Sequence, residues 1–285
     1  MGNLIPRLEF SVQSLFHRQR RCPYCGGLNH SVAARKYGVI RIRLCKDCCL
    51  YFTDPVYRSR LGDFYNSLYQ AEGLTTALPD TSMLKQLMAS RFSCSDKDAT
   101  AAIAALTRIT RGRQLLEIGS SWGYFLFQAR VHGFVAVGVE PSRMRREFGV
   151  RRLGVDIRES LDQLKDASFD IIYCAHTLEH ISNISTFFPD CYRRLRQGGV
   201  LAVEVPHFDL ALCGNKVLSI IGAVHPLGLS QPFFKRVLPR EGFELLGFYD
   251  RWASVLSTPF SQSSEGVLIV VATKTRADIL PAHPV

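Results

Sequence analysis

Residues 115–126, LLEIGSSWGYFL, constrain this chain more than any other stretch. An apolar run ends in Glu117, a turn carrying Gly119 and Gly123 follows, and an aromatic-rich helix start comes next. That is the pattern of the first strand, loop and helix of a nucleotide-binding α/β sheet, in which glycine lets the backbone turn tightly and approach a ligand. Further strand-like runs follow in order: VAVGVEPS at 135–142, VDIRE at 155–159, FDIIYCA at 169–175, GFELLGFYD at 242–250 and EGVLIVVATK at 265–274. Between the fourth and the last two, LRQGGVLAVEVP at 195–206 reads as a helix end, a Gly-Gly turn and a fifth strand. Helical patterns cover 97–111, 123–132, 142–152, 160–166 and 181–196. Strands alternating with helices predict an α/β fold: a doubly wound, mostly parallel, Rossmann-like sheet covered on both faces. The last two strands have only a loop between them, which predicts an antiparallel pair.

The loop is E-x-G-x-x-x-G and not the dinucleotide fingerprint G-x-G-x-x-G. A carboxylate at the strand end, as Glu117 is placed, would repel a pyrophosphate; it suits the cationic amino-acid end of S-adenosylmethionine (SAM). Glu140, near the end of the second strand and 21 residues after Gly119, lies close to the offset at which an acidic side chain takes ribose hydroxyls. On these residues the chain resembles the class I SAM-dependent methyltransferases, over roughly 97–274. The resemblance implies seven strands, and SAM held by Glu117, Gly119, Ser120, Gly123 and Glu140, with His176 lining the pocket after the fourth strand. FDIIYCAHTLEHI and YRRLRQGGVLAVEVP also resemble the corresponding motifs of small-molecule methyltransferases, of the ubiquinone-pathway type and of the sugar type.

A second signal precedes this region. Cys22-Pro23-Tyr24-Cys25 and Cys45-Lys46-Asp47-Cys48 are two C-x-x-C knuckles with 19 residues between them. Each puts two thiolates on one turn, and two turns complete a tetrahedral zinc site. Cys49 offers an alternative fourth ligand; Cys48 keeps the knuckle spacing. Four thiolates leave no open position, so the zinc is expected to be structural. The segment between alternates like short strands, as in a zinc ribbon. The knuckles followed by LYFTDPVYRSRLGDFYNSLYQ resemble the N-terminal region of bacterial methyltransferases of sugar and polysaccharide pathways. Tyr65 and Tyr69, in the segment before the SAM domain, are candidates to cap the substrate, with a core role at helical spacing as the alternative. Some sugar C-methyltransferases add a further C-terminal domain, which this sequence does not show. The segments read from the sequence are a basic lead-in at 1–20, a zinc ribbon at 21–56, a helical connecting segment at 57–96, the SAM domain at 97–274 and a tail at 275–285.

At 285 residues and 47% hydrophobic, the chain has material for one large core plus a small metal-stapled module. No apolar run approaches the roughly 20 residues that span a bilayer, and the scattered cysteines outside the knuckles with no secretory signal favour a reducing, cytoplasmic setting. The formal charge of +10 is carried mainly by arginine, clustered at Arg18, Arg20 and Arg21, at Arg143, Arg145, Arg146, Arg151 and Arg152, and at Arg193, Arg194 and Arg196. Such clusters suit nucleic acid or an anionic small acceptor, while the last two groups read first as solvated helix faces.

Methyl transfer from SAM is an in-line displacement, so the protein must position a nucleophile, take its proton where needed and exclude water. Candidates belong at the carboxyl ends of the strands. His176, Glu179 and His180 follow the fourth strand, His207 follows the fifth, and His225 lies in the insertion GAVHPLGLSQPFF. His225 resembles the base of the sugar methyltransferases, although Val224 stands where they commonly carry an acid; a substrate-contacting or structural role is the alternative. His180 is the second catalytic candidate, and holding the loop is its alternative. In some family members E-x-x-E-H at this place binds a divalent ion; here the first position is His176. Three functions follow: a methyltransferase acting on a small-molecule acceptor such as a sugar, nucleotide-sugar or glycan precursor; an RNA methyltransferase with the ribbon as docking module; and a SAM-binding module without turnover. The sequence leaves the oligomeric state open.

Overall fold

A computed structural model describes residues 18–56, 77–181, 183–222, 224–257 and 266–275. Tyr65 and Tyr69, most of the lead-in and almost all of the tail lie outside the described residues.

The larger sheet has seven strands. β4 (Gln114–Ile118), β5 (Val135–Val139), β6 (Asp156–Arg158), β7 (Phe169–Ala175) and β8 (Leu195–Pro206) run parallel, while β10 (Phe243–Tyr249) and β11 (Val267–Lys274) complete it in the order β10-β11-β8-β7-β4-β5-β6. β11 is antiparallel to both β8 and β10, as the short connection requires. The order reverses at β4, which sits between β5 and β7. This is the place where an open α/β sheet leaves a crevice at its carboxyl ends. β7 and β8 are buried along most of their length, and two apolar layers, one on each face, account for their unbroken hydrophobic character.

Helices α1 (Thr81–Ala89), α2 (Thr100–Ile109), α3 (Tyr124–Val131), α4 (Arg143–Leu153), α5 (Ile184–Arg194), the single turn α6 (Leu210–Cys213) and α7 (Gln231–Arg240) fill the connections. Asp80 caps α1 by accepting from the Met83 N–H at 2.8 Å. Two expectations are corrected. Residues 160–166 hold only a 3₁₀ turn at Leu161–Gln163, because Leu164 already returns to extended backbone. Residues 195–199 belong to β8 and not to a helix end; Leu195 pairs with Phe169, and the register shifts where Gly198 takes φ +73°.

The cysteine-rich segment forms β1 (His30–Lys36), β2 (Ile40–Cys45) and β3 (Tyr51–Asp54), an antiparallel meander. Its sheet has a fourth strand taken from far along the chain: β9 (Leu227–Gly228) pairs with β3, Tyr51 opposite Gly228 and Phe52 opposite Leu227. Cys22, Cys45, Cys48, Leu50 and Phe52 join the same apolar cluster as β7, β8 and α7. The opposite face, through Ile40, Ile42 and Tyr51, packs on Phe208, Val217 and Ile221.

Candidate active site and cysteine cluster

The glycine loop is built as its sequence demands. Gly119 and Gly123 adopt φ +79° and +82°, a conformation that penalises any side chain. A Cβ on Gly119 would also lie 2.1 Å from Thr177 Oγ1, and one on Gly123 would lie 2.7 Å from Val155. Glu140 leaves β5 and ties the loop down: it accepts from Ser121 N–H at 3.0 Å and from Ser142 N–H at 2.9 Å. Burial raises its carboxyl, and those two amides and Arg145 oppose the rise. Glu117 is almost fully enclosed, and its Oε2 has no hydrogen-bond partner. Burial first, and the charge of Glu140 second, push it well above the ordinary carboxylate range.

Two buried carboxylates at adjacent strand ends, one with an unsatisfied oxygen, form a site made for a cationic ligand with hydroxyls. SAM would suit that donor set: Glu117 would face its cationic groups, Glu140 its ribose hydroxyls, and the glycine backbone would allow close approach. Ser120 is fully buried beneath the loop, against Gly138. Arg145 was not among the candidates. Its helix was expected to be solvated, yet Arg145 is 2% exposed and donates to Ser121 Oγ within the loop. Arg146 donates to the Glu140 and Pro141 carbonyls, at 2.8 and 2.6 Å. Arg194 is likewise buried, donating to the Leu161 carbonyl at 2.7 Å and pairing with Asp190. A helical wheel cannot show that such residues are buried, because Ser121, the Glu140 carbonyl and the Leu161 carbonyl come from other segments.

Beyond β7 the acidic and imidazole groups converge. His176, at φ +46°, has Nε2 3.0 Å from Glu204 Oε1 and Nδ1 3.8 Å from Glu179 Oε1. The Glu179 and Glu204 carboxylates together raise its pKa to about 10, so the ring is a cation at neutral pH. Glu204 also accepts from the Trp252 indole. It was missed, though a lone acid in the apolar run LAVEVP was a signal. His180 and His225 meet edge to face, ring centroids 4.4 Å apart. His180 Nδ1 lies 2.9 Å from the Val224 carbonyl, and His225 Nδ1 lies 2.9 Å from the Ile220 carbonyl. A carbonyl only accepts, so each Nδ1 carries a proton, and His180 Nε2 lies 3.9 Å from Glu179 Oε1. Burial lowers the pKa of His180 and keeps it neutral. Glu179, His180 and His225 place one donor atom each within 4.8 Å of one another, and neither oxygen of the buried Glu179 receives a hydrogen bond. His207 stands apart from this group: it is fully buried, its N–H given to the Gly266 carbonyl at 2.8 Å.

The cysteine knuckles close on each other. Cys22 Sγ is 3.5 Å from Cys48 Sγ, Cys25 Sγ is 3.6 Å from Cys45 Sγ, and all four sulfurs lie within 4.8 Å. A tetrahedral zinc with Zn–S bonds of about 2.3 Å has an S···S edge of about 3.8 Å, so the four sulfurs fit the ion. Cys49 faces elsewhere in the turn, with φ +63° and its N–H on the Cys45 carbonyl.

Residues 93–271 match the family model described as a methyltransferase domain. A ubiquinone biosynthesis O-methyltransferase of Mesorhizobium japonicum is 30% identical over 179 residues, covering 58% of this chain and 67% of that protein. The protein of the same name from Agrobacterium fabrum is 31% identical over 105 residues, 33% of this chain; the chain spans only 41% of that relative's length. A chain from the Haloferax volcanii complex of a methyltransferase activator with a provisionally assigned methyltransferase superposes with a TM-score of 0.52 at 13% identity, covering 76% of this chain and 98% of that one. At that identity the likeness concerns the fold.

Proposed function

The chain belongs to the methyltransferase-domain family and is a SAM-dependent methyltransferase; from that premise we propose that it methylates a hydroxyl of a small-molecule acceptor, with the His180–His225 pair removing the proton. The observation that carries this is the pair itself: two imidazoles in contact, each Nδ1 spent on a carbonyl, on segments that follow β7 and β8 in the same sheet as β4 and β5. SAM supplies an activated methyl group. Glu117 and Glu140 would hold its cationic and ribose ends, and His225 Nε2 would take the acceptor's proton as the O–CH₃ bond forms and the methyl–sulfur bond breaks, leaving the neutral thioether. His180 packs against the His225 ring and orients it. The cationic His176 between Glu179 and Glu204 fixes the loop that carries His180.

For the acceptor class, a sugar, nucleotide-sugar or other glycan precursor is supported by the cysteine module and by the position of His225. The two relatives are named for ubiquinone biosynthesis, so a quinone precursor is the competing acceptor. The two unsatisfied oxygens of Glu179 support a second reading of the same triad: a divalent cation on Glu179, His180 and His225 would bind the acceptor hydroxyl and lower its pKa. For the cysteine cluster we propose structural zinc.

Incubation with methyl-labelled SAM and a host extract split into RNA, small-metabolite, glycan and lipid fractions tests the reading. Label in the metabolite or glycan fraction supports it, and label in the lipid fraction selects the quinone acceptor. Label confined to RNA overturns it. Activity that survives exhaustive chelation selects the metal-free base over the cation.

A further inference from the structure

The cysteine module and the segment carrying His225 share one sheet. We propose that the ribbon is a positioning device for the acceptor-side loop, with Lys36 and the β3–β9 pairing transmitting the order imposed by zinc to His225; this rests on the reading of His225 as the base.

The connections run in sequence. The four cysteines bracket β1 and β2, since Cys22 and Cys25 precede β1 and Cys45 ends β2. β2 carries β3, and β3 carries β9. Thr53 N–H donates to the Pro226 carbonyl at 2.9 Å, directly beside His225. From the end of β1, Lys36 Nζ donates to the Ile221 carbonyl at 2.6 Å and to the Ser219 carbonyl at 3.3 Å. Those carbonyls flank Ile220, whose own carbonyl holds His225 Nδ1. Gly222 N–H donates to the His225 carbonyl at 2.9 Å and closes the loop. The His225 ring is therefore fixed by a turn whose backbone is gripped by the ribbon at both ends. β9 is two residues long, and an isolated strand of that length has no stability of its own; it is held by β3 on one side and, through Leu229, by His207 and Phe208 after β8 on the other. The helix that follows is gripped too: Arg236, on α7, donates to the Lys46 carbonyl within the second knuckle at 2.6 Å. Lys36 touches carbonyl oxygens alone in these contacts and is a positioning residue, separate from the donor site.

The test is hydrogen exchange on the full chain, with and without removal of zinc by a chelator, and on Lys36→Met and Lys36→Arg. The account predicts that zinc removal speeds exchange at Gly222 and Gly228 at least tenfold while amides of β4 and β7 keep their protection. Lys36→Met speeds Gly222 several-fold at unchanged zinc content and unchanged SAM affinity, and lowers kcat about tenfold; Lys36→Arg restores most of both. Unchanged exchange at Gly222 and Gly228 after verified zinc loss overturns the proposal, as does loss of protection throughout the large sheet. If exchange responds as predicted while His225→Asn retains full turnover, the coupling stands and the base assignment is what fails.

Discussion

On the donor side of the site, Glu117, Gly119, Gly123 and Glu140 come from one strand–loop–helix–strand unit between residues 117 and 140. On the acceptor side, Lys36, Phe52, His176, His180 and His225 come from segments spread between residues 36 and 225, brought together by two sheets. The donor side depends on backbone conformation, since Gly119 and Gly123 need positive φ and Glu140 binds amides. The acceptor side depends on tertiary contacts and on the cysteine cluster. On the proposed reading, a local unit serves the fixed ligand, SAM, and the assembled side serves the acceptor.

The contrast is broken most forcefully at the cysteines. Cys25→Ser removes one ligand from the cluster, and zinc binding of this type is folding free energy. Metal analysis should show zinc largely lost, and limited proteolysis should attack the ribbon while the large sheet stays protected. Retained zinc with an intact ribbon would break the comparison at its base. Next in size, Glu140→Ala should weaken SAM binding by about 1–3 kcal/mol, the loss of hydrogen bonds to a charged group. Calorimetry checks it, with zinc content unchanged.

Glu117 sharpens the donor side through pH. Burial and Glu140 hold its carboxyl well above the usual range, so pairing it with the SAM cation is expected to favour the carboxylate and release a proton. SAM affinity should therefore rise with pH, and binding heats should differ between buffers of different ionisation enthalpy. Glu117→Gln should abolish the buffer dependence. The smallest effect concerns His176, raised from 6.5 to about 10 by Glu179 and Glu204. A raised histidine favours the folded state while it is charged in the fold. The stability difference between the wild type and His176→Gln should thus be complete below pH 6.5 and fade as pH rises through about 10. The ring is about half exposed, so the difference will be small; a difference that grows with pH would contradict the pairing.

The same contrast explains what could be read from the residues alone. The succession of strands and helices follows from alternation, and FDIIYCA matches β7 residue for residue. The strand–glycine-loop unit was legible because its carboxylates and glycines lie close in sequence, and the meeting of four cysteines because two C-x-x-C knuckles state their own geometry. The contact of His180 with His225 was not legible: each histidine was a candidate, but their separation along the chain hides the meeting of the rings, as it hides the bond from His180 to the Val224 carbonyl. Nor could β9 be foreseen, since two residues pairing with a strand from the N-terminal module leave no periodicity. Arg145 looked like one more solvated arginine because its partners, Ser121 and Glu140, lie on the loop and strand before it.

The central claim is that SAM binding and proton removal belong to separately built sides of one site. His225→Asn tests it directly, with SAM affinity measured by calorimetry and turnover measured on the acceptor found by labelling. The account predicts unchanged SAM affinity and turnover lowered about 10²- to 10⁴-fold, the usual contribution of a general base. Unchanged turnover, or a parallel collapse of SAM binding, would contradict it.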